Sequence, residues 1–287
     1  MGISHHKFVA EYARLFSEGV SANMARGSAG RHRTTISKDA RRVLLFSPHP
    51  DDECITGALP LRLLRELKLH VINIAVTLGS RKDRRPERLT EMQQACEYLG
   101  FGASVVAGNG LEKIRPETRT TDPEAWHEAV NHILELLRLH KPDIIFFPHA
   151  ADANSTHQGV QALVTDALAG AGKDFCCWVC ETEYWAAMDK PNLMIESSVA
   201  DIADLVTALA LHTGEVKRNP YHLRLPAWMM DNVRRGSELL GGQGGEAPAF
   251  IFATLYRLRK WAQGRLETAP ASGRMVSAND SLEALFG

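Results

Sequence analysis

The chain has 287 residues, of which 45% are hydrophobic and 23% are charged, and its formal net charge is −1. These values are typical of a globular protein and allow one large α/β domain or two smaller ones. A nearly neutral chain gives no electrostatic reason to expect nucleic acid or an anionic membrane as a partner. No apolar run approaches the ~20 residues needed to span a bilayer, and residues 1–6 lack a signal-peptide pattern. We therefore expect a cytoplasmic protein without a membrane span.

The five cysteines agree with a reducing compartment, because their number is odd and no secretion signal precedes them. Cys177 and Cys180 have the spacing of a metal or redox pair, but no second pair completes a four-cysteine zinc site. Residues 176–180 form a short apolar run, so we interpret them as a buried strand with reduced thiols.

The chain begins with apolar residues at helical spacing, which predict a helical extension over residues 1–36. Within this range, Gly27–Arg33 is predicted to be a basic connector. Strand and helix patterns then alternate. The predicted strands are 43–46, 71–76, 103–107, 143–148, 175–180 and 193–197, and the predicted helices are 59–68, 86–99, 123–140, 158–168, 201–212 and 228–240. We predict a Rossmann-like α/β domain over residues 37–263, with a mostly parallel sheet flanked by helices, and a mobile tail over residues 264–287.

A polar run with metal-ligand chemistry follows the first predicted strand, at the sheet edge where open α/β folds usually bind ligands. His49 and Asp52 can bind one ion through an imidazole nitrogen and a carboxylate oxygen, a set that suits zinc. Asp51 cannot easily point the same way as its neighbour and is left free to act as a base on metal-bound water. The alternative is a polar turn that caps the next helix.

A second polar run, from His149 to His157, follows the predicted strand at 143–148. Parallel strands place both runs at the same edge of the sheet, so His157 is expected to complete a His-Asp-His site. Three protein ligands leave a fourth position for water, as in catalytic zinc sites. Such a site also accepts other divalent metals, including Fe²⁺.

The sequences PHPDDE at residues 48–53 and DANSTH at residues 152–157 resemble the LmbE-like (PIG-L) zinc-dependent N-deacetylases. The resemblance extends over about residues 41–262 and implies an amino-sugar substrate. Carried onto this chain, it implies that Asp51 is the general base and that the metal ligands are His49, Asp52 and His157.

The helix at 86–99 resembles the family's Arg-x-x-Glu helix, which implies that Arg88 contacts substrate hydroxyls. Arg88 also belongs to a basic cluster at residues 81–88. We interpret the rest of that cluster as a solvated surface, with a phosphate on the substrate as the alternative.

The chain departs from the family at Asn154, where many members have a histidine. An amide can donate a hydrogen bond to a developing oxyanion, but it cannot deliver a proton. Protonation of the leaving amine is then left to Asp51 or to another residue such as His149. Asp152 is expected to position His157 or its loop.

These features predict a metal-dependent hydrolase that removes the acetyl group from an N-acetylglucosamine-type amino sugar or its conjugate, by zinc-activated water and an aspartate base. Two alternatives stay open: a hydrolase of another amide, and a sugar- or metal-binding protein without turnover. A nucleotide-binding Rossmann enzyme is disfavoured, because no glycine fingerprint follows the first strand. The expected partner is a small molecule, and a homo-oligomer is compatible with the sequence.

Overall fold

The computed structural model describes residues 2–21, 34–269 and 273–286. Its strands are β1 Arg42–Ser47, β2 His70–Ala75, β3 Gly102–Val105, β4 Ile144–Pro148, β5 Cys177–Thr182, β6 Leu193–Ser197, β7 Phe252–Ala262, β8 Arg265–Thr268 and β9 Arg274–Val276. Its α-helices are α1 His5–Ser21, α2 Asp52–Ile55, α3 Ala58–Arg65, α4 Arg85–Leu99, α5 Thr118–Thr121, α6 Pro123–His140, α7 Ser155–Gly170, α8 Val199–Ala210, α9 Thr213–Arg218 and α10 Leu225–Gly241. A 3-10 turn at Tyr221–Leu223 precedes α10.

The strands form one mixed sheet in the order β3-β2-β1-β4-β5-β7-β6-β9, with β8 paired to β7. The five strands from β3 to β5 are parallel, β7 is antiparallel to β5 and β6, and β9 is parallel to β6. The predicted α/β class, a mostly parallel sheet flanked by helices, is therefore confirmed.

The central strand β1 is buried on both faces, which explains its unbroken apolar sequence. Successive side chains of a strand point to opposite faces. Accordingly Val43 and Leu45 pack into one hydrophobic cluster with α3, α4 and α8, whereas Leu44 and Phe46 pack into another with α6 and α7. The helices therefore cover both faces of the sheet, and the polar loops follow the carboxyl ends of its strands.

The predicted reduced strand near residue 177 corresponds to β5, in which Cys177 and Cys180 are buried and form no disulfide. Burial raises the pKa of the Cys180 thiol well above its usual value, so the thiol is held in its neutral form. Within the described residues, no helix has the length and apolar character needed to cross a bilayer.

The predicted N-terminal helix corresponds to α1, none of whose residues is buried, while the connector at Gly27–Arg33 lies outside the described residues. Residues 264–269 and 273–286, which belong to the predicted mobile tail, contain strands β8 and β9 and a 3-10 turn at Glu283–Leu285. Here β8 and β9 pair with β7 and β6, and Leu282 and Phe286 are buried. Burial of these apolar side chains, which the short polar-rich pattern did not reveal, stabilises the segment against the domain.

Candidate metal-dependent active site

The parallel pairing of β1 with β4 places the loops that follow them at one edge of the sheet. His49 and Asp52 come from the loop after β1 and the start of α2, and His157 lies in the first turn of α7. His49 Nδ1 lies 3.2 Å from His157 Nε2, and Asp52 Oδ2 lies 3.5 Å from the first atom and 3.4 Å from the second. The three predicted ligand atoms thus form a nearly equilateral triangle.

These separations fit a zinc-sized ion. Ligand atoms bound tetrahedrally at 2.0–2.1 Å are roughly 3.3–3.4 Å apart, close to the separations of the three atoms. His157 is fully buried, and burial lowers its imidazole pKa, which favours the neutral form that binds metals. Burial raises the pKa of Asp52, but His157 and His49 outweigh that effect, so the pKa is lowered and the carboxylate stays ionised. The donor set therefore suits Zn²⁺, and other divalent metals as well.

Asp51 has an unusual backbone conformation beside these three side chains. Its φ of 112° lies in the region that favours glycine, and a residue held there costs about 1–3 kcal/mol. The Asp51 N–H donates to Glu53 Oε2 at 2.9 Å, and Glu53 Oε1 accepts from His212 Nε2 at 2.7 Å. Glu53 and His212 are fully buried, so the strained peptide is held from inside the protein.

The Asp51 carboxylate is held at its other end by Tyr221, whose hydroxyl donates to Asp51 Oδ2 at 2.5 Å. The guanidinium of Arg88 lies 3.8 Å from the same oxygen. Burial and the nearby Asp52 charge raise the pKa of Asp51 to about 7, although Arg88, His212 and Tyr221 oppose the rise. A carboxyl group with a pKa near neutrality is suited to both accepting and returning a proton.

Arg88 contacts the loop that carries Asp51. Its Nη2 donates to the carbonyl oxygen of Pro50 at 2.8 Å, and its side chain is 12% exposed. The backbone of Gly79, at a φ of 84°, lies so close to the Arg88 guanidinium that a Cβ added to Gly79 would collide with it. The structure therefore brings Arg88 to the site as a support of the loop, and its predicted contact with substrate stays a prediction.

Asp152 is buried beneath the second loop and joins it to the segment after β5. Its two oxygens accept from the backbone N–H groups of Asn154 at 2.8 Å and Trp185 at 3.0 Å. Asp152 Oδ1 also lies 3.6 Å from His157 Nδ1, a buried nitrogen without a hydrogen-bond partner among the described residues. These contacts agree with a positioning role for Asp152.

Asn154 is the N-cap of α7, and its side-chain oxygen accepts from the Thr156 N–H at 2.8 Å. The cap occupies the oxygen and leaves the amide N–H groups available as donors. His149, in contrast, is buried, and its Nε2 lies 3.0 Å from the carbonyl oxygen of Ala186. That engaged imidazole is poorly placed to protonate a leaving group.

A cavity of about 820 Å³ is lined at one end by His49, one of the three triangle residues, together with Asn154 and Thr156. Its far walls come from residues 77–85 and 111–121. A volume of this size accommodates a small molecule of several rings. No sequence motif pointed to Tyr221 or His212 as parts of the site, and Glu53 was not assigned a role although it stands in the first motif.

The family model described as PIG-L: GlcNAc-PI de-N-acetylase matches residues 44–168, which contain His49, Asp52 and His157. Residues 44–168 are therefore similar to the PIG-L family, and the predicted resemblance to the LmbE-like deacetylases is confirmed. No curated protein matches the sequence.

Three solved structures share the fold at low sequence identity. The N,N'-diacetylchitobiose deacetylase from Pyrococcus horikoshii is 16% identical, with a TM-score of 0.56 and coverage of 92% of this chain and 95% of that chain. A deacetylase of the teicoplanin biosynthetic pathway is 15% identical, with a TM-score of 0.55 and coverage of 81% and 100%. The 4-carboxy-2-hydroxymuconate hydratase GalB from Pseudomonas putida KT2440 is 13% identical, with a TM-score of 0.57 and coverage of 76% and 95%. Since the fold is shared by deacetylases and a hydratase, the reaction has to be argued from the site.

Proposed function

We propose that the protein is a zinc-dependent N-deacetylase that removes the acetyl group from an N-acetylglucosamine-type amino sugar or its conjugate. The observation that carries the proposal is the triangle of His49, Asp52 and His157 ligand atoms beside the strained Asp51. The match of residues 44–168 to the PIG-L: GlcNAc-PI de-N-acetylase family model supports the choice of an amino-sugar amide among possible substrates.

In this proposal His49, Asp52 and His157 hold the metal, for which Zn²⁺ is the first candidate and Fe²⁺ the second. When bound, such an ion polarises an amide carbonyl and lowers the pKa of a water molecule. The protein contributes the imidazoles of His49 and His157 and the ionised carboxylate of Asp52, whose ligand atoms are 3.2–3.5 Å apart.

Asp51 accepts the proton of the attacking water. Because Tyr221 occupies Oδ2, we assign this transfer to Oδ1. The same oxygen then returns the proton to the leaving amine, since no histidine stands at position 154. The amide N–H groups of Asn154 donate to the amide oxygen as negative charge develops on it. Arg88 acts chiefly by holding the Pro50 carbonyl, while Asp152 fixes the loop before His157.

The experiment measures acetate release from a panel of N-acetylated amino sugars by zinc-loaded wild type and Asp51→Asn. A matched control is Asp122→Asn at the N-cap of α6, where either side chain can cap the helix. We expect turnover in wild type and in the control, and a fall of about 100-fold or more in Asp51→Asn with zinc still bound. If the protein released another acid from a different amide and no acetate, the assignment would change to a hydrolase of that amide. Binding of sugars without any hydrolysis would refute the enzyme assignment.

A further inference from the structure

The basic cluster at residues 81–88 contributes four cations to local ion pairs. The pairs are Arg81–Asp83, Lys82–Glu112, Arg84–Glu87 and Arg85–Glu112, with nitrogen–oxygen distances of 2.7, 3.3, 2.7 and 2.7 Å. Arg88 donates to the first motif loop instead. Four of the five cations of this cluster are therefore engaged by neighbouring carboxylates.

Two other cations line the same cavity as His49. Lys113 and Arg115 stand on the wall formed by residues 111–121, and both residues are exposed. Within the described ranges, neither side chain forms an ion pair or a hydrogen bond with another residue, in contrast to Lys82 and Arg85 across the cavity. Their charges are therefore available to a ligand in the cavity.

The backbone that carries these two cations is fixed against the helix that carries His157. Ile114, which lies between them, is 4% exposed. Its carbonyl carbon lies only 2.6 Å from the position that a Cβ on Gly159 would occupy, so helix and loop touch backbone to backbone. The Thr118 hydroxyl also donates to the carbonyl oxygen of Lys113 at 2.5 Å. Such a fixed loop presents the two cations at a defined place relative to the metal triangle.

The lining of the cavity is positive although the whole chain has a formal charge of −1. Four cations and two carboxylates line it: Lys82, Arg85, Lys113, Arg115, Glu112 and Glu117. A cavity with low-dielectric walls concentrates such a field and attracts a ligand of the opposite sign.

We propose that Lys113 and Arg115 bind an anionic group, a phosphate or a carboxylate, carried by the substrate away from its scissile amide. The guanidinium and ammonium groups form charge-assisted hydrogen bonds with either anion. The proposal rests on the proposed deacetylase function and narrows its substrate to an anionic amino-sugar conjugate.

The test compares matched substrates in the zinc-loaded protein: N-acetylglucosamine, its 1-phosphate, and a disaccharide that joins it to a uronic acid. The variant is Lys113→Gln with Arg115→Gln, and the control is Lys173→Gln with Arg138→Gln, two exposed cations outside the cavity lining. We expect wild type to have a lower KM for one or both anionic substrates. In the variant, the KM for that anionic substrate should rise about tenfold or more, while its kcat and the KM for the neutral substrate stay unchanged.

Equal KM values for neutral and anionic substrates in wild type would overturn the proposal. An equal rise in KM for both kinds of substrate in the variant would also overturn it. The phosphate and uronate arms identify which anion is bound. If no substrate is hydrolysed, the deacetylase proposal fails separately. Calorimetry with N-acetylglucosamine 1-phosphate and N-acetylglucosamine then decides the anion site. Wild type that binds N-acetylglucosamine 1-phosphate more tightly than N-acetylglucosamine, with this difference lost in the variant, would support the anion site. Equal affinity of wild type for the two ligands would refute it.

Discussion

Replacement of His212 by leucine should destabilise the protein strongly. The His212 imidazole lies 2.7 Å from the Glu53 carboxylate, and both side chains are 0% exposed. Leucine leaves Glu53 Oε1 in the interior with only the weak contact from Cys54 Sγ at 3.7 Å. Removing one partner of a buried pair costs about 3–5 kcal/mol, a large part of the about 5–15 kcal/mol that stabilises a typical domain. For a chain of this size the loss corresponds to a fall of about 6–20 °C in Tm.

Differential scanning calorimetry of wild type and His212→Leu measures the loss. Arg234→Leu is the control, because its pair with Asp231 is exposed on both sides and costs less than about 1 kcal/mol to remove. Since the penalty comes from an unpaired buried charge, adding Glu53→Gln to His212→Leu should recover part of the Tm. A Tm for His212→Leu no lower than that of the control would refute the buried-pair reasoning.

Two further predictions concern the site and its walls. Tyr221→Phe removes the hydroxyl that donates to Asp51, so kcat should fall about tenfold with KM and zinc content unchanged. Tyr98→Phe removes a phenol–carboxylate hydrogen bond to Asp204, which is neither a triangle residue nor part of the cavity lining, and equal kcat values for the two variants would contradict the assigned role. Gly159→Ala places a Cβ 2.6 Å from the Ile114 carbonyl carbon and should cost about 1–3 kcal/mol, measured as a fall in Tm; an unchanged Tm would show that the loop is not fixed there.

The sequence was sufficient to predict strands β1–β6 and the proximity of His49, Asp52 and His157 for a local physical reason. Each ligand lies within nine residues of the carboxyl end of an apolar strand, and adjacent parallel strands bring those ends together. His49 and His157 are 108 residues apart in the chain, yet strand pairing alone brings their ring nitrogens to 3.2 Å.

The supports of Asp51 could not be predicted in the same way. Tyr221 lies 170 residues from Asp51 on a short turn, and His212 lies 159 residues from Glu53 just after α8. Neither position follows a strand of the sheet or belongs to a motif, so only the packing of α8 and the following turn places them. The left-handed backbone of Asp51 likewise depends on these tertiary contacts.

The central claim is tested most directly by titrating zinc into the metal-free protein while acetate release from an N-acetylated amino sugar is followed. We predict that activity rises linearly and levels off at one zinc per chain, and that His157→Ala abolishes both tight binding and activity. Acetate release that is independent of zinc, or a fully loaded protein that hydrolyses no amide, would contradict the claim.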